Sequence, residues 1–421
     1  MAPTSGLARG RATLYTIAGN VVPGLLFLLC LPSIRRDLDH VVFGYYMLCW
    51  SAIGMSAIFE LGIGRAVTHF TGKQQSQGSP AELGAAWTFL WMLGALVSVA
   101  ALIGSLALQV LQNQSGVSVA AWSLLLATVP LGVLTAGYRG VIEGALQFGG
   151  AAVLRALTVV ALMALPWLFG IQYASVEAVG LGFLVARLGV LGCHHAYERR
   201  SVGMVRQVRR AATRQAYLRV GGFIASLAVA TSIGTFLGYL DRLVLASGSA
   251  VQSFADYLVP FELVSRVGII PAAVSSVLFA VVSSAKHSEE LKARASQSHY
   301  TVGLFIIPVT VLCCLFAGPI LETWMGVAPT LTSVRIMQVL AVGVAFNSIA
   351  QVALASAQAA GGERQIMWIY VAELPLTLLL TWWAFDEYGM TGLAIAWSGR
   401  CIIDCVALVV LQRRIHELRA A

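Results

Sequence analysis

Apolar residues in this chain come in long runs, not in the alternating or helically spaced patterns of soluble domains. A helix crosses a hydrocarbon core in about 20 apolar residues at 1.5 Å rise per residue. Runs of that length recur along the whole sequence and predict about twelve membrane spans. They lie near residues 12–31, 44–63, 84–111, 117–138, 151–169, 176–197, 220–245, 254–283, 301–320, 333–356, 366–385 and 392–411. Asn20 and Pro23 interrupt the first run, and Pro260 and Pro271 the eighth. Such breaks are tolerated where neighbouring protein or water satisfies the freed carbonyls. The first run is too long for a cleavable leader, and no small-x-small site follows it, so it reads as a span.

Composition strengthens this reading. Hydrophobic residues make up 58% of the chain and charged residues 11%, against about 25% charged in a soluble domain; mean hydropathy is +0.81. No hydrophilic segment exceeds about 25 residues, roughly the length of one span. That excludes a soluble catalytic or nucleotide-binding domain. The glycine pairs Gly149–Gly150 and Gly361–Gly362 lack the Lys-Ser/Thr of a phosphate-cradling loop. An enzyme is not expected. Any transport draws on an ion gradient or on the gradient of the cargo.

Basic residues fix the expected orientation. With the N-terminus inside, cytoplasmic segments hold Arg9, Arg11, Arg65, Lys73, Arg139, Arg155, a basic cluster over 199–219, Lys286, Lys292, Arg294, Arg364, Arg413, Arg414 and Arg419. The opposite side holds Arg35, Arg36, Arg242 and Arg335, with acidic Asp37, Asp39, Asp256, Glu322, Asp386 and Glu387. Roughly five basic residues lie inside for each one outside, which puts both termini in the cytoplasm. The net charge of +8 is then a matter of topology and contact with anionic lipid, and a nucleic-acid partner is not expected. Segments around 139–150 and 286–300 mix charge with apolar residues, as interfacial helices do.

The seven cysteines, Cys30, Cys49, Cys193, Cys313, Cys314, Cys401 and Cys405, lie in or at the edges of spans. None forms a spaced ligand set with histidine, so small apolar packing groups are expected and a metal is not. His194 and His195 fall at the cytoplasmic membrane edge.

Three arginines, Arg187, Arg266 and Arg400, sit in the middle of apolar runs. A guanidinium at that depth costs between about 3 and more than about 10 kcal/mol unless it faces a wet or protein-lined interior. Planar and permanently charged, arginine suits the gripping of phosphate oxygens in pairs.

The chain also shows weak internal symmetry. Ala145 to Gly150, a span, an outer loop and Gly180 to Arg187 have a counterpart in Ala357 to Gly362, a span, an outer loop and Gly392 to Arg400. The copies lie about half the chain apart, and Arg187 matches Arg400 with one residue of slippage. The expected fold is an all-α polytopic membrane protein with two parallel six-helix lobes around a central path. The lobes are 1–197 and 220–421, joined by a basic cytoplasmic linker, 198–219.

Gly44, Tyr45 and Tyr46, followed by Phe59 through Thr68, resemble the second span of polysaccharide flippases. Thr235 through Leu245 is similar to that family's seventh span, and Glu387 through Ala396 to its eleven–twelve connection. The chain from about Ala12 to Leu411 resembles the Wzx-type O-antigen and polysaccharide flippases of the multidrug/oligosaccharidyl-lipid/polysaccharide (MOP) exporter superfamily. One departure is Glu60, where that family often has aspartate. The resemblance implies a bacterial inner-membrane protein with spans one, two, seven and eight lining a central, often cationic cavity. It also implies alternating access and an undecaprenyl-diphosphate-linked oligosaccharide moved from the cytoplasmic to the periplasmic leaflet. Other polysaccharide-assembly proteins of the membrane are further partners to expect. A cation-coupled drug exporter shares the architecture and is one alternative. A membrane-embedded O-antigen ligase or polymerase is another, though the outer segments here are short for one.

With that cargo, each residue has a functional and a structural reading. Arg266 lies about 18 Å of helix from the outer end of span eight and can bind diphosphate, or pair with Glu262 one turn earlier. Arg187 and Arg400 are further diphosphate candidates, or groups tying their own lobes together, Arg400 through Asp404. Asn20, Tyr45, Tyr46, Tyr239 and Tyr257 are candidates for the sugar path. Glu60 and Asp241 are candidates for coupling H+ or Na+, or partners for Arg65 and Arg242. Glu373, near Pro375, and Asp404 complete the ion-coupling set. No cofactor is expected.

Overall fold

The computed structural model describes residues 6–77, 80–111, 117–205, 212–248, 253–269, 271, 274–275, 288–359 and 362–420; the side chains of 6–21 and of a few later helical residues fall outside that description. The described residues are almost wholly helical. The helices are α1 (Gly6–Asp37), α2 (His40–Met55), α3 (Ile63–Gln77), α4 (Pro80–Leu111), α5 (Val119–Gly144), α6 (Phe148–Tyr173), α7 (Val176–Tyr197) and α8 (Arg214–Gly248). They continue with α9 (Ser253–Ser265), α10 (Ser288–Leu315), α11 (Ala317–Met325), α12 (Leu331–Ala359) and α13 (Glu363–Ala420).

Among the described residues, seven helices are long and apolar enough to cross a membrane. The last, α13, is two helices joined at Gly389, whose φ of 58° and ψ of −139° break the helical path. This is the junction between the two final apolar runs. Leu96, Leu102 and Leu106 on α4, and Leu304, Ile307 and Leu315 on α10, lie more than half exposed on their helix surfaces. Faces of that kind suit lipid and not water. The chain is a multi-pass membrane protein.

Several boundaries differ from the sequence expectation. The second run does not end at residue 63. Its helix breaks after Met55 into a short 3-10 turn, Ser56–Ile58, and resumes as α3 to Gln77. Leu61 (φ 45°) and Gly62 (φ 69°) make the break. The charged stretch 139–150 is not a separate interfacial helix: it is the end of α5, a turn at Ala145–Gln147 and the start of α6. From Ser288 onward the second such stretch is continuous with the apolar part of α10. Most of the eighth run beyond Ile269, and much of the basic cluster, lie outside the described residues.

Contacts divide the chain into two compact units, and the division falls inside α8. One unit comprises Met1–Phe236 with Ala250–Gln252; the other comprises Leu237–Ser249 with Ser253–Ala421. In the first, α5 presents Ala136, Gly140 and Gly144 at four-residue spacing to α3. A Cβ at Gly140 would stand 2.5 Å from the carbonyl oxygen of Gly64, and one at Gly144 2.6 Å from that of Thr68. Small residues let helix backbones meet where lipid offers no hydrophobic drive to associate. Beside this seam Trp87 meets Tyr138 edge-on at 4.9 Å, within a core that includes Val67, Leu90 and Val141.

In the second unit α12 packs along both halves of α13, with Ala353 and Ala357 in one cluster with Ile366 before the kink and Cys405 and Leu408 after it. The Ser398 hydroxyl donates to the carbonyl of Val339 at 2.9 Å. Asp256 near the start of α9 accepts from Ser333 at 3.0 Å and Thr330 at 3.2 Å, tying α9 to the head of α12.

Candidate functional site

Among the described residues, the buried charges that include candidate site residues fall into three groups, one in the first unit and two in the second. In the first, Arg187 on α7 is 7% exposed. Its terminal nitrogen donates to the Ser56 hydroxyl at 3.5 Å, and Nε has no hydrogen-bond partner. Gly132 leaves room for it, since a Cβ there would sit 3.4 Å from the guanidinium carbon. The Ser56 hydroxyl in turn donates to the carbonyl of Ile53 at 2.6 Å. Arg187 therefore stands at the C-terminal end of α2, where a helix concentrates partial negative charge and a cation is favoured.

The break beyond Ser56 carries Glu60. Its carboxylate pairs with Arg139 on α5 at 3.5 Å, not with Arg65, which is exposed. Tyr45 and Tyr46 do not line a surface. Both are fully buried, and their hydroxyls donate to the carbonyls of Ala121 at 2.7 Å and Met163 at 3.2 Å. They bolt α2 to α5 and α6. Asn20 lies on α1, with its side chain outside the described residues.

In the second unit, Arg266 begins a 3-10 turn, Arg266–Gly268, directly after α9. It forms an ion pair with Glu262, one turn earlier. Tyr257 on α9 is fully buried and donates to Oδ2 of Asp241 on α8 at 2.6 Å. Asp241 is 2% exposed and its Oδ1 has no partner. The next residue, Arg242, is also buried. Its guanidinium carbon lies 4.3 Å from the ring centre of Tyr239 and 4.0 Å from that of Phe261. Asp241 and Arg242 make no ion pair with each other: the aspartate turns to a tyrosine and the arginine to two rings. Sequence reasoning placed Arg242 among outer basic residues. Its burial depends on the rotation of α8, which the run of apolar residues does not encode.

The third group lies between the two halves of α13. Glu373 precedes the kink, and Arg400 and Asp404 follow it. Neither oxygen of Glu373 has a hydrogen-bond partner, nor has Oδ1 of Asp404 or Nε of Arg400. The expected one-turn pair of Arg400 with Asp404 does not form; the guanidinium reaches only the sulfur of Cys401, at 3.7 Å. The fold thus gathers two buried carboxylates and one half-buried cation without closing them into an ion pair. A desolvated carboxylate of this kind is stabilised by taking up a proton or a metal cation. His194 and His195 take ordinary contacts, to the Val190 carbonyl at 2.9 Å and the Tyr138 hydroxyl at 3.0 Å.

No family model matches the chain. Over 408 residues it is 26% identical to a Shigella flexneri protein described as a candidate O-antigen transporter, spanning 96% of this chain and 97% of that one. Two solved structures share the fold. One is the lipid II flippase MurJ in an inward closed conformation, with a TM-score of 0.70 at 12% identity, over 98% of this chain and 89% of MurJ. The other is an inward-facing MATE-family multidrug resistance transporter of the MOP superfamily, with a TM-score of 0.67 at 15% identity, over 97% and 96%. The resemblance read from the sequence holds over nearly the whole chain, and the protein is a multi-pass membrane protein that shares the fold of these two solved structures.

Proposed function

We propose that this protein is a flippase for an undecaprenyl-diphosphate-linked oligosaccharide, the repeat unit of an O-antigen or related surface polysaccharide. It resides in the bacterial inner membrane with twelve spans and both termini in the cytoplasm. The cargo moves from the cytoplasmic to the periplasmic leaflet by alternating access of two six-helix lobes, 1–197 and 220–421, with H+ or Na+ as coupling ion. The observation that carries the reading is the end-to-end likeness to the candidate O-antigen transporter, joined to arginines kept at membrane depth.

The physics fits the cargo. A diphosphate crossing hydrocarbon unpaired is prohibitively costly, and a guanidinium grips it in the fork geometry phosphate oxygens favour. The polyprenyl tail stays in lipid throughout. Arg266 is the leading diphosphate ligand, with Glu262 as the partner it gives up when the cargo arrives; Arg187, held at the end of α2, and Arg400 are secondary candidates. Tyr239 belongs to the sugar path. Glu60, Asp241, Glu373 and Asp404 are the coupling carboxylates.

Deleting the gene tests the reading. Complete lipid-linked repeat units then accumulate in the inner leaflet, measured by labelling and mass spectrometry of the diphosphate lipids. Units that reach the outer leaflet and stay unligated or unpolymerised would overturn it. A drug exporter, the second reading that the MATE likeness favours, leaves the lipid-linked pool unchanged and alters drug sensitivity.

A further inference from the structure

A cavity of about 420 Å³ lies beside the α5–α6 turn, within the ~300–1,000 Å³ range of small-molecule sites. It is lined by His69 of α3, Glu143 at the end of α5, Leu146 in the turn, and Phe148, Ala152 and Arg155 of α6. All of these belong to the first unit. Helices α5 and α6 are both long and apolar enough to cross a membrane. The turn that joins them therefore stands at a bilayer surface, and the cavity at headgroup depth.

Two features of the wall point to a ligand. The first is charge. Arg155 donates to Glu143 at 2.7 Å across the corner, with side-chain exposures of 26% and 28%. A pair so wet contributes about 0–1 kcal/mol and can open to a guest at little loss. It presents a cation and an anion to one space, which a ligand bearing both signs complements and a multiply charged anion does not. His69, stacked on Phe223 of α8 with ring centres 4.9 Å apart, adds a hydrogen-bonding group to the wall. The second feature is Leu146. It takes a φ of 60° at a helix end, where glycine is usual, and is 65% exposed. That conformation costs an L-residue about 1–2 kcal/mol, here with little burial to offset it. The strain keeps an apolar side chain on the rim of a charged cavity, as a lipid site needs.

We infer that this cavity seats the headgroup of an ethanolamine phospholipid of the surrounding bilayer, its phosphate against Arg155 and its ammonium against Glu143. Leu146 and Phe148 then meet the glycerol and acyl part. Each charge of the zwitterion meets its opposite, so the filled site is neutral. The primary ammonium carries N–H donors for the carboxylate; the quaternary ammonium of a choline lipid carries none. A glycerol phospholipid brings only the negative charge that Glu143 opposes. The inference does not rest on the flippase reading, since a drug exporter of this fold would hold the same lipid.

The test is native mass spectrometry of the full-length protein in detergent, offered ethanolamine, choline and glycerol phospholipids of matched chains in equal amounts. The wild type retains one ethanolamine lipid about tenfold more tightly than either competitor, the scale of one charge-assisted hydrogen bond. Glu143→Gln removes that preference. Ala152→Phe fills the cavity with the ion pair intact and removes it too. Should the glutamine variant not fold, Ala152→Phe decides. A wild type with no preference overturns the inference, as does a preference that survives in a folded Ala152→Phe protein. Preferred retention of the glycerol phospholipid would mark a plain anion site and also overturn it. So would displacement of the ethanolamine lipid by a lipid-linked oligosaccharide, which would assign the cavity to the cargo. None of these outcomes bears on where lipid-linked repeat units accumulate in a deletion strain.

Discussion

Tyr257 holds Asp241 by one hydrogen bond of 2.6 Å and leaves the other carboxylate oxygen bare in a residue 2% exposed. A buried acceptor that loses its donor costs about 1–3 kcal/mol, more when charged. Tyr257→Phe is therefore expected to lower the unfolding temperature clearly. Asp241→Asn in the same background recovers part of the loss, because the neutral amide is cheaper to bury. Thermal unfolding of the two variants and their double mutant checks this; additive losses would mean the two residues do not act together.

Glu60 offers a contrast. Its pair with Arg139 is partly exposed, with side-chain exposures of 21% and 44%, and such a pair contributes about 0–1 kcal/mol. A purely structural Glu60 predicts that Glu60→Gln is nearly silent. A coupling Glu60 predicts stable expression with transport lost. Reconstituted flipping of a fluorescent lipid-linked oligosaccharide under an imposed ion gradient separates the two outcomes.

Gly392 and Gly399 sit seven residues apart on the last half of α13 and differ in one respect. A Cβ at Gly392 would stand 1.8 Å from the carbonyl oxygen of Ala384, across the Gly389 kink, whereas one at Gly399 meets nothing within 4 Å. Gly392→Ala must force the two halves of α13 apart, at several kcal/mol for a backbone overlap no rotamer relieves. Gly399→Ala instead gains up to about 1 kcal/mol of helix propensity. Yield and melting temperature should fall in the first and hold or rise in the second.

These glycines also mark what the sequence makes legible. Spans are readable because each must carry its own 20 or so apolar residues, a local property. The α13 hairpin is readable for the same reason: Asp386, Glu387, Gly389 and Gly392 interrupt two such runs. The break after Met55 is not, because Ser56 through Ile63 stays mostly apolar and the break depends on Leu61 adopting positive φ. Nor is the fate of tyrosines. Tyr45 and Tyr46 look like sugar-binding groups on a cavity-lining span, yet both donate to backbone carbonyls inside their unit. Helix rotation decides which polar groups face a path, and a run that is apolar nearly all round carries no phase to read.

Glu373 and Asp404 give the strongest test of coupling in the second unit. Each is about 5–6% exposed, unpaired oxygens remain on both, and Arg400 is a cation close to both. Two ionised carboxylates and one guanidinium leave a net single negative charge at membrane depth, a state that one monovalent cation neutralises. Replacing either acid by its amide removes that charge and with it the reason to bind a cation. Glu373→Gln and Asp404→Asn should both leave the protein folded and no less stable, because an amide is easier to bury than an unpaired carboxylate. Flipping driven by an imposed proton or sodium gradient should then lose its dependence on that gradient in both variants. If only one amide has this effect, that residue alone carries the ion. If gradient-driven flipping survives in both, the cluster is structural and coupling lies with Glu60 or Asp241.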